Sequence, residues 1–449
     1  MALVLVFGAG LIAVGGYGNW RSGNAQRVER MIVIAREKGE PTTPEEMAEF
    51  HATSPAIDRT TRLWLEAMAS AEPPGATSED RENVAYVGYG LDDDPDSQEA
   101  MRRLKAEGVM TPEIYAASKA YLPKVERAIE VAHEARRSGT LARYPLDYEY
   151  VSPESIGARR ALANTFALYL AVRRADGETD RFLDVHLSFL AFAESMQAEP
   201  GHVCQFARLA LLGIAREQLL ISLEKEELSA DNLAELQRAW DAVDLSAALR
   251  LALLDEQMVA LHYLPEELHL SLERDWRPCP EEDAYQAAKA LRSVIDASDN
   301  LDAADAAIES AQAELDRAME APLASYRFVG WAETLRFIDA NPEAVRRHWT
   351  EVDALRMILA CERFRLERGD WPGRLEDLVP DYLDSLPPDR YDSGTIKYRR
   401  EPGGIIVYAV GPDGSDDAGT LDPHVRATPT DVGVRLKLEP ETSEEPVQE

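Results

Sequence analysis

Hydrophobic positions recur at spacings of three and four residues through most of the chain between residues 44 and 369. This period is typical of amphipathic α-helices that bury one face. The clearest stripe is formed by Phe182, Val185, Phe189, Phe192 and Met196. The pattern therefore predicts a mainly α fold.

Proline directly after a capping residue marks several predicted helix starts. A proline at the first helical position gives up an N–H that would be unpaired there, and the residue before it caps the helix with its side chain. The pairs are Thr43-Pro44, Thr111-Pro112, Ser152-Pro153 and Asn341-Pro342. Glu46 follows Thr43 by three residues and completes a capping box.

Long predicted helices follow one another in the centre of the chain with only short breaks between them. They cover residues 153–174, 179–198, 202–224, 230–242 and 245–262, and further helices cover 281–297 and 303–321. Short connections make neighbouring helices antiparallel. We therefore expect antiparallel helical hairpins, or an irregular α-solenoid, in a helical body over residues 21–340 with central hairpins at 153–262.

The pattern changes after residue 369, where β-rich runs replace the helical period. The runs TIKYRR and IIVYAV flank Glu401-Pro402-Gly403-Gly404, which predicts a β-hairpin, and TDVGVRLKL predicts a third strand. Together with the preceding helix they form a predicted small α+β module over residues 341–438. The acidic stretch 439–449 lacks aromatic residues and is predicted to be a disordered tail.

The first twenty residues admit two interpretations. The letters GAGLIA fit the G-x-G-x-x-A turn of a dinucleotide-binding domain, and Glu37 lies where a ribose-binding acid is expected. Against this, the helix after the turn would contain four glycines, and no further strands follow until the C-terminus. We therefore predict no nucleotide cofactor.

The second interpretation is a membrane helix. Residues 2–20 form an uncharged apolar run about as long as the bilayer core requires, with Tyr17 and Trp20 as interfacial aromatics and Arg21 beyond them. No basic region precedes the run, which disfavours a cleaved signal peptide. We predict a transmembrane anchor at residues 1–20, with a cleaved signal segment as the alternative.

Composition limits the classes of partner. The 449 residues carry a formal net charge of −33, which repels phosphate backbones, so we expect no nucleic-acid binding. Cys204, Cys279 and Cys361 lie far apart without a C-x-x-C pair, which disfavours a cysteine zinc site or a disulfide framework and predicts buried thiols.

The C-terminal region resembles a known family. Over about residues 352–422, ALRMILACERFRLERGDWP, LEDLVPDYLDSLPPDRYDSGTIKYRR and IIVYAVGPDGSDDAGT follow one another in the order of helix, proline-flanked turn, hairpin and acidic loop. This order resembles the C-terminal domain of the major pseudopilins of type II secretion. The remainder is similar to membrane-anchored helical bacterial proteins that carry the same tail. The prepilin peptidase site and the glutamate of the mature N-terminus are missing, so the chain resembles a carrier of this module rather than a pseudopilus subunit.

The resemblance implies calcium and a location. In the pseudopilins the acidic loop binds calcium, and the residues that fall on that loop here are Asp413, Ser415, Asp416 and Asp417. Short carboxylates and backbone carbonyls suit calcium, whereas P-D-G is also an ordinary turn sequence. The resemblance also implies an inner-membrane anchor with the bulk in the periplasm. The arginines after residue 20 would place the bulk in the cytoplasm instead.

Recognisable catalytic patterns are missing from the sequence, which holds no G-x-S-x-G, P-loop or H-E-x-x-H. Pro265 separates His262 from His269, His186 is expected to be an ordinary interfacial histidine, and the spacing of His202 and Cys204 points the two side chains apart. We therefore predict a non-enzymatic, membrane-anchored scaffold or docking protein with protein partners in an envelope assembly. The alternative is an exported hydrolase or ligand-binding protein with a site between helical hairpins.

Overall fold

A computed structural model describes residues 2–53, 56–73, 84–86, 103–104, 108–145, 153–178, 181–225, 228–266, 280–321, 324–392, 394–421 and 430–438. The fold is mainly helical with a small antiparallel sheet, as predicted. The helices are α1 (Ala2–Glu37), α2 (Pro44–Ala52), α3 (Asp58–Ser70), α4 (Pro112–Ser138), α5 (Pro153–Asp176), α6 (Phe182–Glu194), α7 (His202–Lys225), α8 (Ala230–Asp241), α9 (Ala248–Met258), α10 (Pro280–Ala297), α11 (Leu301–Met319), α12 (Ala324–Arg327), α13 (Val329–Ile338) and α14 (Asn341–Arg368). The strands are β1 (Lys397–Glu401), β2 (Gly404–Ala409) and β3 (Val432–Lys437).

The helices are built as the sequence patterns predict. The side chains of Thr43 and Thr111 accept hydrogen bonds from the third backbone N–H after them, each ahead of a proline. The predicted helix over 245–262 is shorter, because α9 ends at Met258 and a π-helical turn occupies Val259–Tyr263. The predicted helix over 179–198 is α6, which ends at Glu194.

The chain divides into two compact units that are interleaved along the sequence. Unit 1 comprises Met1–Pro55, Ala198–Phe206 and Leu245–Val345, and unit 2 comprises Ala56–Gln197, Ala207–Asp244 and Arg346–Glu449. The predicted domain limits at 1–20, 21–340, 341–438 and 439–449 stay predictions, and the tail 439–449 lies outside the described residues.

Unit 1 is organised around α1 and α10, which pack along each other. Val28, Met31 and Ala35 of α1 are buried. The helix is terminated at Gly39, which adopts a left-handed φ of +71° as is common at helix ends. Directly after it, the buried carboxylate of Glu40 accepts hydrogen bonds from Arg250 at 2.8 Å, from Gln257 at 3.1 Å and from Arg292.

The continuity of α1 excludes the dinucleotide-binding turn. Residues 2–37 form one helix, so GAGLIA lies inside it and neither a strand before this sequence nor a strand leading to Glu37 exists. A Rossmann turn needs a strand ending at the first glycine. The dinucleotide interpretation is therefore wrong. Among the residues whose side chains the structure describes, which on α1 begin at Trp20, no helix combines the length and hydropathy needed to cross a membrane.

Unit 2 contains the predicted apolar stripe at its core. Phe182, Val185, Phe189, Phe192 and Met196 are all buried, which confirms the face read from the sequence. Phe189 stacks on Phe166 with ring centroids 4.9 Å apart, and Phe192 meets Trp64 at 5.2 Å. Aromatic packing of this kind stabilises the contact beyond simple area burial.

The sheet of unit 2 has the order β1-β2-β3, with both pairs antiparallel. Glu401 pairs with Gly404, so Pro402 and Gly403 form a two-residue turn, and Gly403 supplies the required positive φ of +73°. The central strand β2 is buried along its whole length. The predicted hairpin and the predicted third strand are both confirmed.

Candidate functional site

The predicted calcium loop leaves the central strand and lies at the surface of unit 2. Asp413, Ser415, Asp416 and Asp417 are exposed. The carboxylate of Asp413 accepts a hydrogen bond from the backbone N–H of Ser415 at 2.9 Å, which is a local turn contact. Asp416 accepts from the backbone N–H of Ala418 at 2.9 Å and from the hydroxyl of Tyr408 at 3.1 Å.

A fourth acid, Asp431, organises this loop from the inside. Its side chain is buried and accepts hydrogen bonds from the backbone N–H groups of Asp417 at 3.2 Å and Gly419 at 2.6 Å. Burial raises the pKa of Asp431, the two N–H donors lower it, and the nearby charges of Asp416 and Asp417 raise it. No signal in the sequence points to Asp431, because an aspartate before a strand has no distinguishing local pattern.

The described residues do not form a complete calcium site. Among the described residues, no three acidic, histidine or cysteine side chains lie close enough to hold a metal ion together. The guanidinium of Arg435 donates to the carbonyl of Gly419 at 2.8 Å, so a protein cation already occupies one backbone oxygen of the loop. Asp422, which follows the loop, lies outside the described residues. Calcium binding stays a prediction.

The proline-flanked turn of the same module is fixed by a second buried aspartate. Asp389 accepts hydrogen bonds from the backbone N–H groups of Tyr391 and Val410, at 2.8 and 2.9 Å, and from Lys397 Nζ at 2.8 Å. Each of these partners belongs to a different stretch of chain. Asp389 therefore ties the turn to the sheet.

A polar groove of about 610 Å³ lies beside this turn, entirely within unit 2. Its walls are α8, α14 and the segment 380–390. The segment is fixed to α8 because Gln237 Nε2 donates to the carbonyl of Tyr382 at 2.8 Å. Gln237 is fixed in turn by Arg363, which donates to its side-chain oxygen at 2.8 Å.

The two arginines of the unit 2 groove are occupied by structural contacts. Arg390 donates to Asp353 through Nε and Nη2 at 2.9 and 2.6 Å, and its guanidinium lies 3.7 Å from the centre of the Trp349 ring. Arg356 donates to Asp353 at 2.9 Å and to the carbonyls of Trp240 and Val243 at 2.8 and 2.6 Å, at the C-terminal end of α8. Its guanidinium also lies 3.7 Å from the carboxylate of Asp241. These arginines hold the groove together.

The acids of the unit 2 groove are more accessible. Asp381 and Asp384 are exposed, and the Asp241 side chain is 46% exposed. Partial burial raises the pKa of Asp241, Arg356 lowers it, and the charge of Asp384 raises it again. The rim of the groove is therefore a negative surface that favours a cationic ligand.

The histidines and cysteines do not assemble a catalytic site in the described residues. His186 is fully buried between α6 and α8, accepts a hydrogen bond from Trp240 Nε1 at 3.2 Å, and burial lowers its pKa to about 3. His202 stacks between Phe206 and Phe337, each with centroids 4.2 Å away. Cys204 and Cys361 are buried, as predicted. His269 and Cys279 lie outside the described residues.

Two further groups of buried titratable side chains have structural roles. His51 Nε2 lies 2.7 Å from Glu199 Oε1, and both side chains are shielded from solvent. Asp255 accepts the backbone N–H of His202 at the first turn of α7, and burial raises its pKa. Burial and the charge of Asp255 raise the pKa of Glu256 as well. None of these groups faces a described groove.

Comparisons with protein-family models, with curated proteins and with solved structures give no match for this chain.

Proposed function

We propose that this protein is a membrane-anchored scaffold or docking protein. The observation that carries the proposal is the course of α1. Its first nineteen residues hold no charged side chain, whereas its second half packs into unit 1. A helix of 36 residues is about 54 Å long, which is enough to cross a bilayer core of about 30 Å and still enter a folded body.

The change from the apolar half to the packed half occurs at Trp20 and Arg21. Arg21 forms an ion pair with Glu281 at 2.5 Å, and the guanidinium of Arg327 lies 5.4 Å from the centre of the Trp20 ring. An aromatic residue followed by an arginine is typical of the end of a membrane span. These contacts favour a helix that leaves the membrane and continues directly into unit 1.

Membrane extraction tests the anchor. We expect the full chain to remain in membranes washed with alkaline carbonate. Leu11→Arg with Ile12→Arg, near the centre of the apolar run, is expected to release it, because each buried arginine costs about 3 kcal/mol on insertion scales. Val33→Arg is the matched control, since Val33 lies on the same helix and is 52% exposed. Release of the wild-type chain by carbonate would contradict the anchor.

The C-terminal module supplies the proposed docking function. Its order of helix, turn, hairpin and acidic loop resembles the pseudopilin domain, and we propose protein partners in a type II secretion or pilus-like assembly, with the bulk of the chain in the periplasm. Cross-linking in membranes, followed by gentle solubilisation and mass spectrometry, tests this. Recovery of secretion or pilus-like components supports the proposal. A second test fuses to the C-terminus a reporter that works only in the cytoplasm. Activity of this reporter would contradict the periplasmic location.

Calcium binding by the acidic loop is part of the same proposal. The charges of Asp416 and Asp417 act on the buried Asp431, so a cation bound beside them would offset their mutual repulsion. We expect millimolar calcium to raise the melting temperature of the full chain, and Asp417→Ala to abolish the rise. Asp299→Ala, at an exposed acid of unit 1, is the control. An unchanged melting curve would leave Asp413, Ser415, Asp416 and Asp417 as an ordinary turn.

The alternative function, ligand binding, is favoured by one observation, the negative rim of the unit 2 groove. Asp241, Asp381 and Asp384 would bind a cationic ligand such as a polyamine, since the arginines are held by Asp353 and by backbone carbonyls. Titration with spermidine, read by thermal unfolding, is expected to stabilise the wild type and to lose its effect in Asp241→Asn with Asp384→Asn. Equal stabilisation of the double variant would contradict this candidate.

A further inference from the structure

A second groove lies wholly within unit 1, where α1, α10, α11 and α13 meet. Its volume is about 730 Å³. Basic side chains dominate its charged lining, which consists of Arg27, Arg30, Lys289, Arg317 and the single acid Glu314. The positive charge of this lining contrasts with the formal net charge of the whole chain, which is −33. A local excess of positive charge in so acidic a protein attracts anions.

Three of the four basic side chains are available to a ligand. Lys289 pairs with Glu314 at 2.6 Å. In contrast, Arg27, Arg30 and Arg317 form no ion pair with any residue that the structure describes. Arg27 donates to Asn24 Oδ1 at 3.3 Å and lies over the Tyr285 ring at 5.5 Å, while Arg30 donates to a backbone carbonyl of its own helix at 3.2 Å.

Trp331 is a lining residue whose side chain carries a donor that is unpaired in the described part of the chain. It lines the groove and is only 2% exposed, yet its indole Nε1–H has no hydrogen-bond partner among the described residues. Buried donors are almost always paired, so an unpaired one calls for an explanation. Asp283 fixes the residue in place by accepting the backbone N–H groups of Gly330 and Trp331 at 2.7 and 2.8 Å.

The lining also has an apolar part. Met31 and Ile34 of α1 and Ala318 of α11 contribute to it, and Ile34 is 39% exposed. An inorganic anion would pair with the arginines but leave this apolar wall in water. A ligand that carries both a phosphate and hydrocarbon would cover both parts.

The position of the groove on α1 indicates where such a ligand comes from. Arg27 and Arg30 follow Trp20 by seven and ten residues, or about 10 and 15 Å along the helix axis. Side chains on a helix lean toward its N-terminus, which on α1 is the direction of the apolar segment. The long arginine side chains thus extend back toward the headgroup region, within about one Debye length of it.

We propose that the unit 1 groove binds the phosphate of an anionic phospholipid from the membrane that holds α1. Arg27, Arg30 and Arg317 pair with the phosphate oxygens, and the apolar wall contacts the adjoining glycerol and acyl carbons. This assignment rests on the proposed membrane anchor for its lipid source. The phosphate chemistry itself rests only on the groove.

The test uses the full chain in a neutral detergent and follows tryptophan fluorescence. The ligands are dihexanoylphosphatidylglycerol, dihexanoylphosphatidylcholine and glycerol 3-phosphate. We expect saturable binding of the phosphatidylglycerol at least tenfold tighter than binding of the other two, and weaker binding at higher salt. Arg30→Gln with Arg317→Gln is expected to weaken this binding at least tenfold.

Arg238→Gln with Arg336→Gln is the matched control. Both residues are exposed arginines on helices, neither lines the groove, and Arg238 donates to its own helix at 3.2 Å as Arg30 does. Trp331→Phe tests the indole separately, because it removes the N–H while keeping an aromatic ring. We expect it to weaken binding severalfold, and because the smaller ring leaves a cavity at a buried position, binding is compared at a temperature well below the melting point of both chains.

Each outcome decides a separate point. Equal binding of the two lipids, or equal weakening by the control pair, would overturn the proposal. Binding of glycerol 3-phosphate as tight as that of phosphatidylglycerol would overturn the lipid source and identify the ligand as a soluble phosphate ester. Because the assay is done in detergent, its failure is distinct from a failure of the anchor, which carbonate extraction measures.

Discussion

The two grooves of this protein use arginine in opposite ways. In unit 2, Arg356 and Arg390 bind Asp353 and the carbonyls after α8, and acids form the accessible rim. In unit 1, Arg30 and Arg317 have no carboxylate partner among the described residues, and arginines form the accessible surface. The comparison shows that charge in a groove indicates a ligand only after the internal partners of each side chain have been accounted for.

The largest loss in the free energy of unfolding is expected from a substitution at the centre of the unit 2 groove. Asp353 is 2% exposed and accepts hydrogen bonds from both Arg356 and Arg390. Asp353→Asn removes the carboxylate partner of Arg390 and leaves Arg356 with only the more distant carboxylate of Asp241, 3.7 Å away, which costs about 3 kcal/mol. Urea unfolding measures this, with Glu333→Gln, in an exposed ion pair, as the control. A loss comparable to that of the control would mean that these arginines are not structural.

A matched pair of conservative substitutions comes next. Arg390→Lys removes a two-nitrogen contact with Asp353 and the close packing on Trp349, so we expect a loss of about 1–2 kcal/mol. Arg317→Lys is expected to leave the free energy of unfolding unchanged, because Arg317 has no ion pair among the described residues. Similar losses in both variants would remove the distinction between the two grooves.

The accessible acid of unit 2 gives a smaller effect that depends on pH. Because the pKa of Asp241 is raised in the folded chain, its ionisation favours the unfolded chain. This penalty is absent below the unfolded pKa and is complete once the pH exceeds the folded pKa. Asp241→Asn should therefore stabilise the protein relative to the wild type at pH 7, by only a few tenths of a kcal/mol after solvent screening. At pH 3.5 we expect no stabilisation. Urea titrations at both pH values test the sign.

The smallest change in the free energy of unfolding is expected from substituting the arginines of the unit 1 groove. Arg27, Arg30 and Arg317 repel one another when no anion is bound, so Arg30→Gln with Arg317→Gln should raise the free energy of unfolding by at most about 0.5 kcal/mol at low salt. The gain should vanish at about 0.5 M salt, where the screening length is short. Destabilisation by this pair of substitutions would show that the arginines have a structural role like those of unit 2.

Local patterns predicted the secondary structure well. The stripe at Phe182, Val185 and Phe189 is a buried helix face, and the Pro402-Gly403 turn joins two paired strands. In these cases each residue's conformation is determined by neighbours within a few positions. The dinucleotide interpretation failed for the opposite reason, because a short fingerprint has meaning only on a sheet that the rest of the chain does not provide.

The candidate sites depended on contacts between distant parts of the sequence. Asp431 binds the N–H groups of a loop twelve to fourteen residues before it, and Asp353 is joined to Arg390 across 37 positions. The unit 1 groove combines residues of α1 with residues about 260 to 300 positions later. No spacing rule connects residues so far apart, so no pattern in the sequence could select them.

The sequence by itself determined the helical class, the C-terminal hairpin, the apolar first segment and the net negative charge, because periodicity, turn chemistry and composition are local or additive properties. Only the tertiary structure decided how the chain is shared between two interleaved units, which aspartates hold the loops, and which arginines are left without partners. The physical reason is that the state of a charged side chain depends on the atoms around it. Those atoms come from whichever segments the fold brings together.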